Sequence, residues 1–318
     1  MIIDSHNQFL RSYIVDPSTS SHGHPIGGCK GFLKILNKLC REIKPDLIVV
    51  VWDGEGGSAK RRTQNKNYKA GRKPPRLNRF DNNLSQEEQE NNKIWQQMRA
   101  MEYLNDTPIL QFIEPHVEAD DVISYIKSMQ IFSDWQKVVV SSDKDFFQIL
   151  DKKTVLYRPT QGEVLNVPKI LEKYEIHPNN FALARSLAGD KSDNLAGVPG
   201  VGLATVSKRF SFVKEEKEYY IDDILNECKS NPESSLKLYN TVLDHEKEIR
   251  SNYQIMQLAA PSLSIQSKDR IRDTFKSYEP LYNKTAMLSK MIKDGIGEIR
   301  LDCLEQLFKK MRSEFISF

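Results

Sequence analysis

Cysteine is scarce and scattered: the 318 residues hold four, Cys29, Cys40, Cys228 and Cys303, with no CxxC pair. That excludes a disulfide framework and a zinc ribbon, and the four read as reduced thiols. Long apolar runs are also missing, since no stretch approaches the roughly 18 consecutive apolar residues of a spanning helix. The start, Met1-Ile2-Ile3-Asp4-Ser5-His6, lacks a basic n-region followed by an apolar stretch and a small-residue cleavage site. A cytoplasmic protein with no membrane association is therefore expected. Neither internal repeats nor low-complexity segments occur, and Gly (15) and Pro (14) are at ordinary levels. With 39% hydrophobic and 28% charged residues, the composition is that of a globular protein with enough length for a sizeable core.

A large net charge is absent too: 46 basic and 43 acidic residues leave +3. The distribution is uneven. Between Gly56 and Phe80 stand nine basic residues (Lys60, Arg61, Arg62, Lys66, Lys69, Arg72, Lys73, Arg76, Arg79) and no acid, so the other 293 residues carry a net −6. A solvated loop is the ordinary fate of a charge run. Nine positives with Tyr68 among them instead favour nucleic acid, the basic groups meeting phosphates and Tyr68 stacking a base.

The first half alternates short apolar runs with helical patterns, which predicts an α/β fold with a mostly parallel central sheet flanked by helices. Strands are expected at Ile2 to Asp4, Leu47 to Trp52, Ile109 to Phe112 and Lys137 to Ser141. Helices are expected through Phe32 to Leu39, from Ser85 to Met101, from Glu118 onward, and as a short piece at Phe146 to Leu150. Beyond Phe212 the pattern is amphipathic helix, as at Lys214 to Tyr220 and Leu236 to Ile249.

Acids gather where an open α/β sheet places ligands, outside the carboxyl ends of its strands. Asp4 follows Ile2-Ile3, Asp53 follows Val49 to Trp52, and Asp143 with Asp145 follow Val138 to Ser142, while Glu118, Asp120 and Asp121 open a helix. Any one of them could be a turn or cap residue. Together on one sheet edge they would repel unless cations neutralised them, and all-oxygen donors suit Mg²⁺ or Mn²⁺ rather than Zn²⁺. A two-metal phosphodiester site is the natural inference. Asp190 and Asp193 add the last acids just ahead of Gly197-Val198-Pro199-Gly200-Val201-Gly202. Glycines there let backbone N–H groups approach a phosphate, and a helix starting near Leu203 carries Lys208 and Arg209, together a sequence-independent clamp on DNA backbone.

In this order, Asp53-Gly54, Glu118-Ala119-Asp120-Asp121, Ser142-Asp143-Lys144-Asp145 and Gly189-Asp190-Lys191-Ser192-Asp193-Asn194 resemble the motifs of the 5′ nuclease superfamily. That group comprises flap endonucleases, phage 5′ to 3′ exonucleases including the phage-type RNase H, and the nuclease domain of bacterial DNA polymerase I. Tyr68-Lys69-Ala70-Gly71-Arg72 is similar to its Tyr-Lys-x-x-Arg element, and the likeness spans about residues 1 to 215. It implies an α/β nuclease core over 1–175, with a helical arch or clamp insertion at about 56–100. A helix-hairpin-helix type element over 176–215 and a helical C-terminal region over 216–318 complete the implied organisation.

By the same resemblance Asp4, Asp53, Glu118, Asp120 and Asp121 would surround one metal, and Asp143, Asp145, Asp190 and Asp193 a second. Lys69 and Arg72 would hold the scissile phosphate, with DNA contacts from Lys60, Arg61, Arg62, Lys66, Tyr68 and Arg76. The segment from about Ala184 to Phe210, including Gly197, Gly200, Gly202, Lys208 and Arg209, would grip duplex DNA with a bound K⁺. Ser5-His6 departs from the family, many of whose members have Gly after the first aspartate.

The expected activity is cleavage of DNA at 5′ flaps and 5′ ends, and of RNA–DNA hybrids such as primers, by a stand-alone monomer in a bacterial or phage-infected cell. The tail Glu314 to Phe318 could dock on a sliding clamp or single-strand binding protein, though a helix end packed on its own domain is the commoner case. A non-catalytic branched-DNA binder would require lost carboxylates, and a PIN-type ribonuclease would lack the Gly189 to Gly202 element. His22, His24 and Cys29 have no second ligand pair for zinc.

Overall fold

The computed structural model describes residues 1–72, 76–77, 84–230, 237–297 and 299–313. Lys73, Arg79 and the tail from Glu314 to Phe318 lie outside the described residues. In chain order, β1 (Ile2–Asp4) leads into α1 (Ser5–Val15) and α2 (Gly27–Ile43), and β2 (Val49–Trp52) into α3 (Ala59–Gln64) and α4 (Gln86–Leu104). Next come β3 (Leu110–Ile113), α5 (Ala119–Ser128), β4 (Lys137–Val140), β5 (Thr154–Arg158) and β6 (Glu163–Leu165). Helices follow: α6 (Val167–Tyr174), α7 (Phe181–Ala188), α8 (Leu203–Arg209), α9 (Ile221–Ser230), α10 (Lys237–Asp244) and α11 (Glu246–Met256). The last three are α12 (Ile265–Lys276), α13 (Lys284–Lys293) and α14 (Asp302–Ser313). Among the described residues no helix is long and apolar enough to cross a membrane.

The chain forms two compact units: Met1–Asp53 with Lys73–Glu114 and Ser264–Phe318, and Gly54–Arg72 with Pro115–Leu263. The stretch 56–100 is thus shared, α3 belonging to the second unit and α4 to the first.

In the first unit β1, β2 and β3 are parallel, with Ile2 beside Val49 and Val49 beside Leu110. Val49, Val50, Val51 and Trp52 are all buried, as β-branched runs are when helices cover both faces. Trp52 is core, its ring 5.2 Å from Phe32 and 6.3 Å from Phe9. The helix α1, unmarked in the sequence reading, begins directly after Asp4, whose carboxylate accepts from Asn7 N–H at 3.2 Å. It packs tightly on α2 because Gly31 leaves room for Ser12, which a Cβ would approach to 2.7 Å. Ser85 and Glu88 start α4 with a reciprocal capping box.

In the second unit β4 and β5 are parallel and β6 returns antiparallel. The strands β5 and β6 and the helix α6 complete an α/β fold whose strands are mostly parallel, as expected.

Two helical expectations fail. Lys214 to Tyr220 is not a helix: after one 3-10 turn at Ser211–Lys214 the chain runs irregularly to Tyr220. The buried Asn180 amide is the cause. It donates to the carbonyls of Val213, Glu215 and Lys217 and accepts from Tyr219 N–H at 2.9 Å, so backbone groups that a helix would pair internally are satisfied from outside. Leu236 to Ile249 is two helices rather than one, broken at His245, and Leu236 itself lies outside the described residues. The short helix expected at Phe146 to Leu150 is 3-10, Asp145–Ile149, with Phe146 and Phe147 fully buried.

Candidate metal centre and nucleic-acid contacts

The parallel strand β4 ends at Val140 and hands the chain to Ser141-Ser142-Asp143-Lys144-Asp145. Ser141 Oγ accepts from Asp143 N–H at 3.0 Å, and Asp143 Oδ1 from Asp145 N–H at 2.9 Å, a tight turn that aims both carboxylates the same way. The first turn of α5 supplies Asp120. Carboxylate oxygens of Asp120, Asp143 and Asp145 all lie within 4.8 Å of one another. Burial and then the neighbouring Asp143 push the Asp145 carboxyl up to about 7, against the pull of Arg185. Asp145 Oδ1 is buried without a hydrogen bond, although the Arg185 guanidinium lies 2.9 Å away. Three clustered carboxylates, one of which carries a buried oxygen without a hydrogen bond, fit a hard divalent cation.

Glu118 and Asp121 face a different environment. Glu118, N-cap of α5 and 4% exposed, makes no cap bond and turns to the Gly54–Arg72 segment. Ser58 Oγ and Arg61 donate to it, as do the Tyr68 hydroxyl at 3.0 Å and Lys69 Nζ at 2.6 Å. Burial by itself would raise this carboxyl, but the Arg61 guanidinium and Lys69 ammonium prevail and hold it at about 2. Arg61 also donates to Asp121 at 3.0 Å, and Asp121 accepts from Ser262 N–H at 2.8 Å.

Two residues expected among the nucleic-acid contacts are therefore inside. Arg61 is 9% exposed and spends its guanidinium on Glu118 and Asp121. Tyr68 is 3% exposed, its ring packed with Leu195, Ile255 and Met256. Lys60, Arg62, Lys66 and Arg76 are exposed.

Lys69 and Arg72 stand where the segment docks on the 190–194 turn. Lys69 adopts φ 54°, rare for a residue with a Cβ, and its N–H donates to Asp193 O at 2.8 Å. Arg72 binds the Asp193 carboxylate, its Nε donating to Ser192 O at 3.1 Å, while Asn194 Nδ2 donates to Asn67 O at 3.0 Å. Asp193 is buried; burial raises its carboxyl, with Lys69 and Arg72 opposing. Asp190 accepts from Ser192 N–H and Oγ, both at 2.7 Å, and from Arg185. Its carboxyl is lowered: burial would raise it, and the Ser192 bonds and Arg185 outweigh that.

Backbone packing explains the glycines. At Gly189, φ 73°, a Cβ would fall 2.3 Å from Gly197 N, and one at Gly197 would fall 2.3 Å from the Ala188 carbonyl. These two let the strands of the turn touch. Gly200, φ 78°, closes a turn in which Val201 N–H donates to Val198 O at 3.0 Å, and Cβ atoms at Gly200 or Gly202 would meet open space. Exposed Lys208 and Arg209 end α8.

In the first unit, Asp4 ends β1 and Asp53 directly follows β2. His6 Nε2 lies 3.9 Å from Asp53 Oδ2, which gives the residue after Ser5 a carboxylate neighbour. His22 Nε2 meets Lys293 O at 3.2 Å, a structural contact.

Arg185 is the residue that sequence reasoning missed. Its signal was a single cation inside the otherwise apolar Phe181-Ala182-Leu183-Ala184-Arg185-Ser186-Leu187, four residues before Gly189, since a charge in such a helix needs a carboxylate.

The profile of a family described as 5′-3′ exonuclease, N-terminal resolvase-like domain, matches residues 1–175. A thermostable DNA polymerase I from Thermus aquaticus is 30% identical over 65% of this chain and 23% of its own length. The chain thus spans about a quarter of such polymerases. A 5′-3′ exonuclease from Aquifex aeolicus is 27% identical over 78% of this chain and 83% of that protein. Among solved structures, a bacteriophage T5 flap endonuclease in a pseudo-enzyme–product complex with DNA and metal ions shares the fold. Its TM-score is 0.65 at 17% identity, covering 98% of this chain and 97% of that one.

Proposed function

The chain belongs to the 5′-3′ exonuclease family defined by the N-terminal resolvase-like domain, and from that premise we propose a structure-specific 5′ nuclease. Its substrates are 5′ flaps and 5′ ends of DNA and of RNA–DNA hybrids, and its place is primer removal in replication and repair. The observation that carries this reading is the convergence of Asp120, Asp143 and Asp145 within 4.8 Å, with Lys69 and Arg72 rooted on the adjoining turn. Relatives named as 5′-3′ exonucleases support it.

Asp120, Asp143 and Asp145 would hold a divalent ion, Mg²⁺ or Mn²⁺ by donor type, and Asp190 and Asp193 would contribute toward a second. Ions bound there supply an activated water and charge stabilisation at the leaving oxygen. Lys69 and Arg72 exchange their carboxylate partners for the scissile phosphate and offset the charge that grows on it. Exposed Lys60, Arg62, Lys66 and Arg76 meet the phosphates of the 5′ strand. The Gly197 to Gly202 turn, with Lys208 and Arg209, grips the duplex backbone without reading sequence, K⁺ being the ion proposed for that turn.

A substrate panel tests the specificity. We expect an end-labelled 5′ flap and a nicked RNA–DNA hybrid to be cut in Mg²⁺ faster than a blunt duplex or a 3′ flap. Equal rates on all four, or cutting from the 3′ side, would reject the proposal.

A further inference from the structure

We propose that Arg185 is a resident counter-cation of the metal centre, whose charge limits how tightly the Asp145 and Asp190 carboxylates hold a divalent ion. The proposal rests on the reading of that cluster as a metal centre. Arg185 sits in the last turn of α7, where a helix favours a cation. The helix is fixed from several sides. Ala184, Ser186 and Leu187 are buried, Gly189 N–H closes onto Arg185 O at 2.8 Å, and Asn252 of α11 donates to Ser186 O and Ala196 O at 3.1 and 2.8 Å.

From that anchored position the guanidinium reaches Asp145 Oδ1 at 2.9 Å and also binds the Asp190 carboxylate. The residue is 7% exposed, and its Nε finds no hydrogen-bond partner. A buried arginine with an unmatched N–H is unfavourable in itself, so the two carboxylates are what keep it there. They are also on the acidic turns that close on the cluster, so guanidinium and divalent ion draw on the same negative charge. Lys69 and Arg72 act elsewhere, on Glu118 and Asp193. Removing Arg185 leaves the half-buried Asp145 and Asp190 carboxylates repelling and unbalanced. The fold loses stability in chelator, and the same imbalance deepens the well for a divalent cation.

The experiment uses the DNA-free full chain, wild type, Arg185→Met and Arg185→Lys. Mn²⁺ affinity is read by calorimetric titration, and melting temperature is read in EDTA and in saturating Mn²⁺. Arg185→Met is expected to bind Mn²⁺ about tenfold more tightly, the effect of one unit charge lost close to a divalent ion. Its melting temperature falls in EDTA and recovers most of the gap in Mn²⁺, the linkage counterpart of tighter binding. Arg185→Lys, which keeps the charge, stays near wild-type affinity.

An equal loss of stability with and without Mn²⁺, or unchanged or weaker affinity, would make Arg185 a structural link and overturn the proposal. If Arg185→Met folds only with Mn²⁺ present, the rescue itself supports it; failure to fold under both conditions counts against it. Absence of Mn²⁺ binding by the wild type would instead reject the metal-centre reading, and this inference with it.

Discussion

Lys69 Nζ lies 2.6 Å from Glu118 Oε1 while the Lys69 backbone, at φ 54°, hangs from Asp193 O. One residue thus joins the acidic entry of α5 to the 190–194 turn. Lys69→Ala is expected to lower the single-turnover cleavage rate about 100-fold, as when a transition-state charge donor is lost. Flap affinity should change less than about threefold, since binding is spread over many phosphates. Equal losses in rate and affinity would remove Lys69 from the reacting phosphate.

Glu118 gives stability a pH dependence. Its folded carboxyl sits at about 2, below its ordinary 4.5, so the stabilisation is present above pH 4.5 and is lost as pH falls through that window toward 2. With the side chain buried, the effect is of the order of 3 kcal/mol. Urea unfolding in EDTA at pH 6 and pH 3 measures it. Glu118→Gln should flatten the difference; a wild-type slope in that variant would show that other carboxylates set it.

Glycine positions separate packing from contact. Gly189→Ala meets Gly197 N at 2.3 Å and a positive φ, so its melting temperature should drop severely. Gly202→Ala meets open space at φ −112° and should leave stability within about 0.5 kcal/mol. If backbone there approaches phosphate, the second variant still loses DNA affinity. Unchanged affinity in a filter-binding or anisotropy titration would take Gly202 off the interface.

Asn180 is expected to matter as much as an apolar core residue. Asn180→Ala strands three carbonyls and one N–H that a buried amide now serves, a cost of about 2 to 3 kcal/mol by denaturant unfolding. A change within error would mean that water replaces the amide.

What could be read in advance was local. Asp143 and Asp145 after a β-branched run, the acidic opening of α5 and the glycine turn before Leu203 all follow from neighbours in sequence. That Arg61 and Tyr68 turn inward was not legible because their partner Glu118 lies 57 and 50 positions away, and a basic run carries no mark of which member is buried. Lys214 to Tyr220 has helical periodicity, and only the distant Asn180 amide explains why it stays irregular. Arg185 was hidden for the same reason, a charge whose justification is tertiary. Asp4 and Asp53 were legible as strand-end acids, their role resting on the family resemblance.

The central claim is that clustered carboxylates, through divalent metal, drive 5′ cleavage. Its most direct measurement is the rate on an end-labelled 5′ flap, for wild type and Asp143→Asn, in Mg²⁺ and in EDTA. Wild type in Mg²⁺ is expected to release short labelled products, while EDTA or the substitution lowers the rate by about 1,000-fold, the scale of losing metal charge at a phosphoryl centre. Cleavage that survives both EDTA and Asp143→Asn would contradict the account.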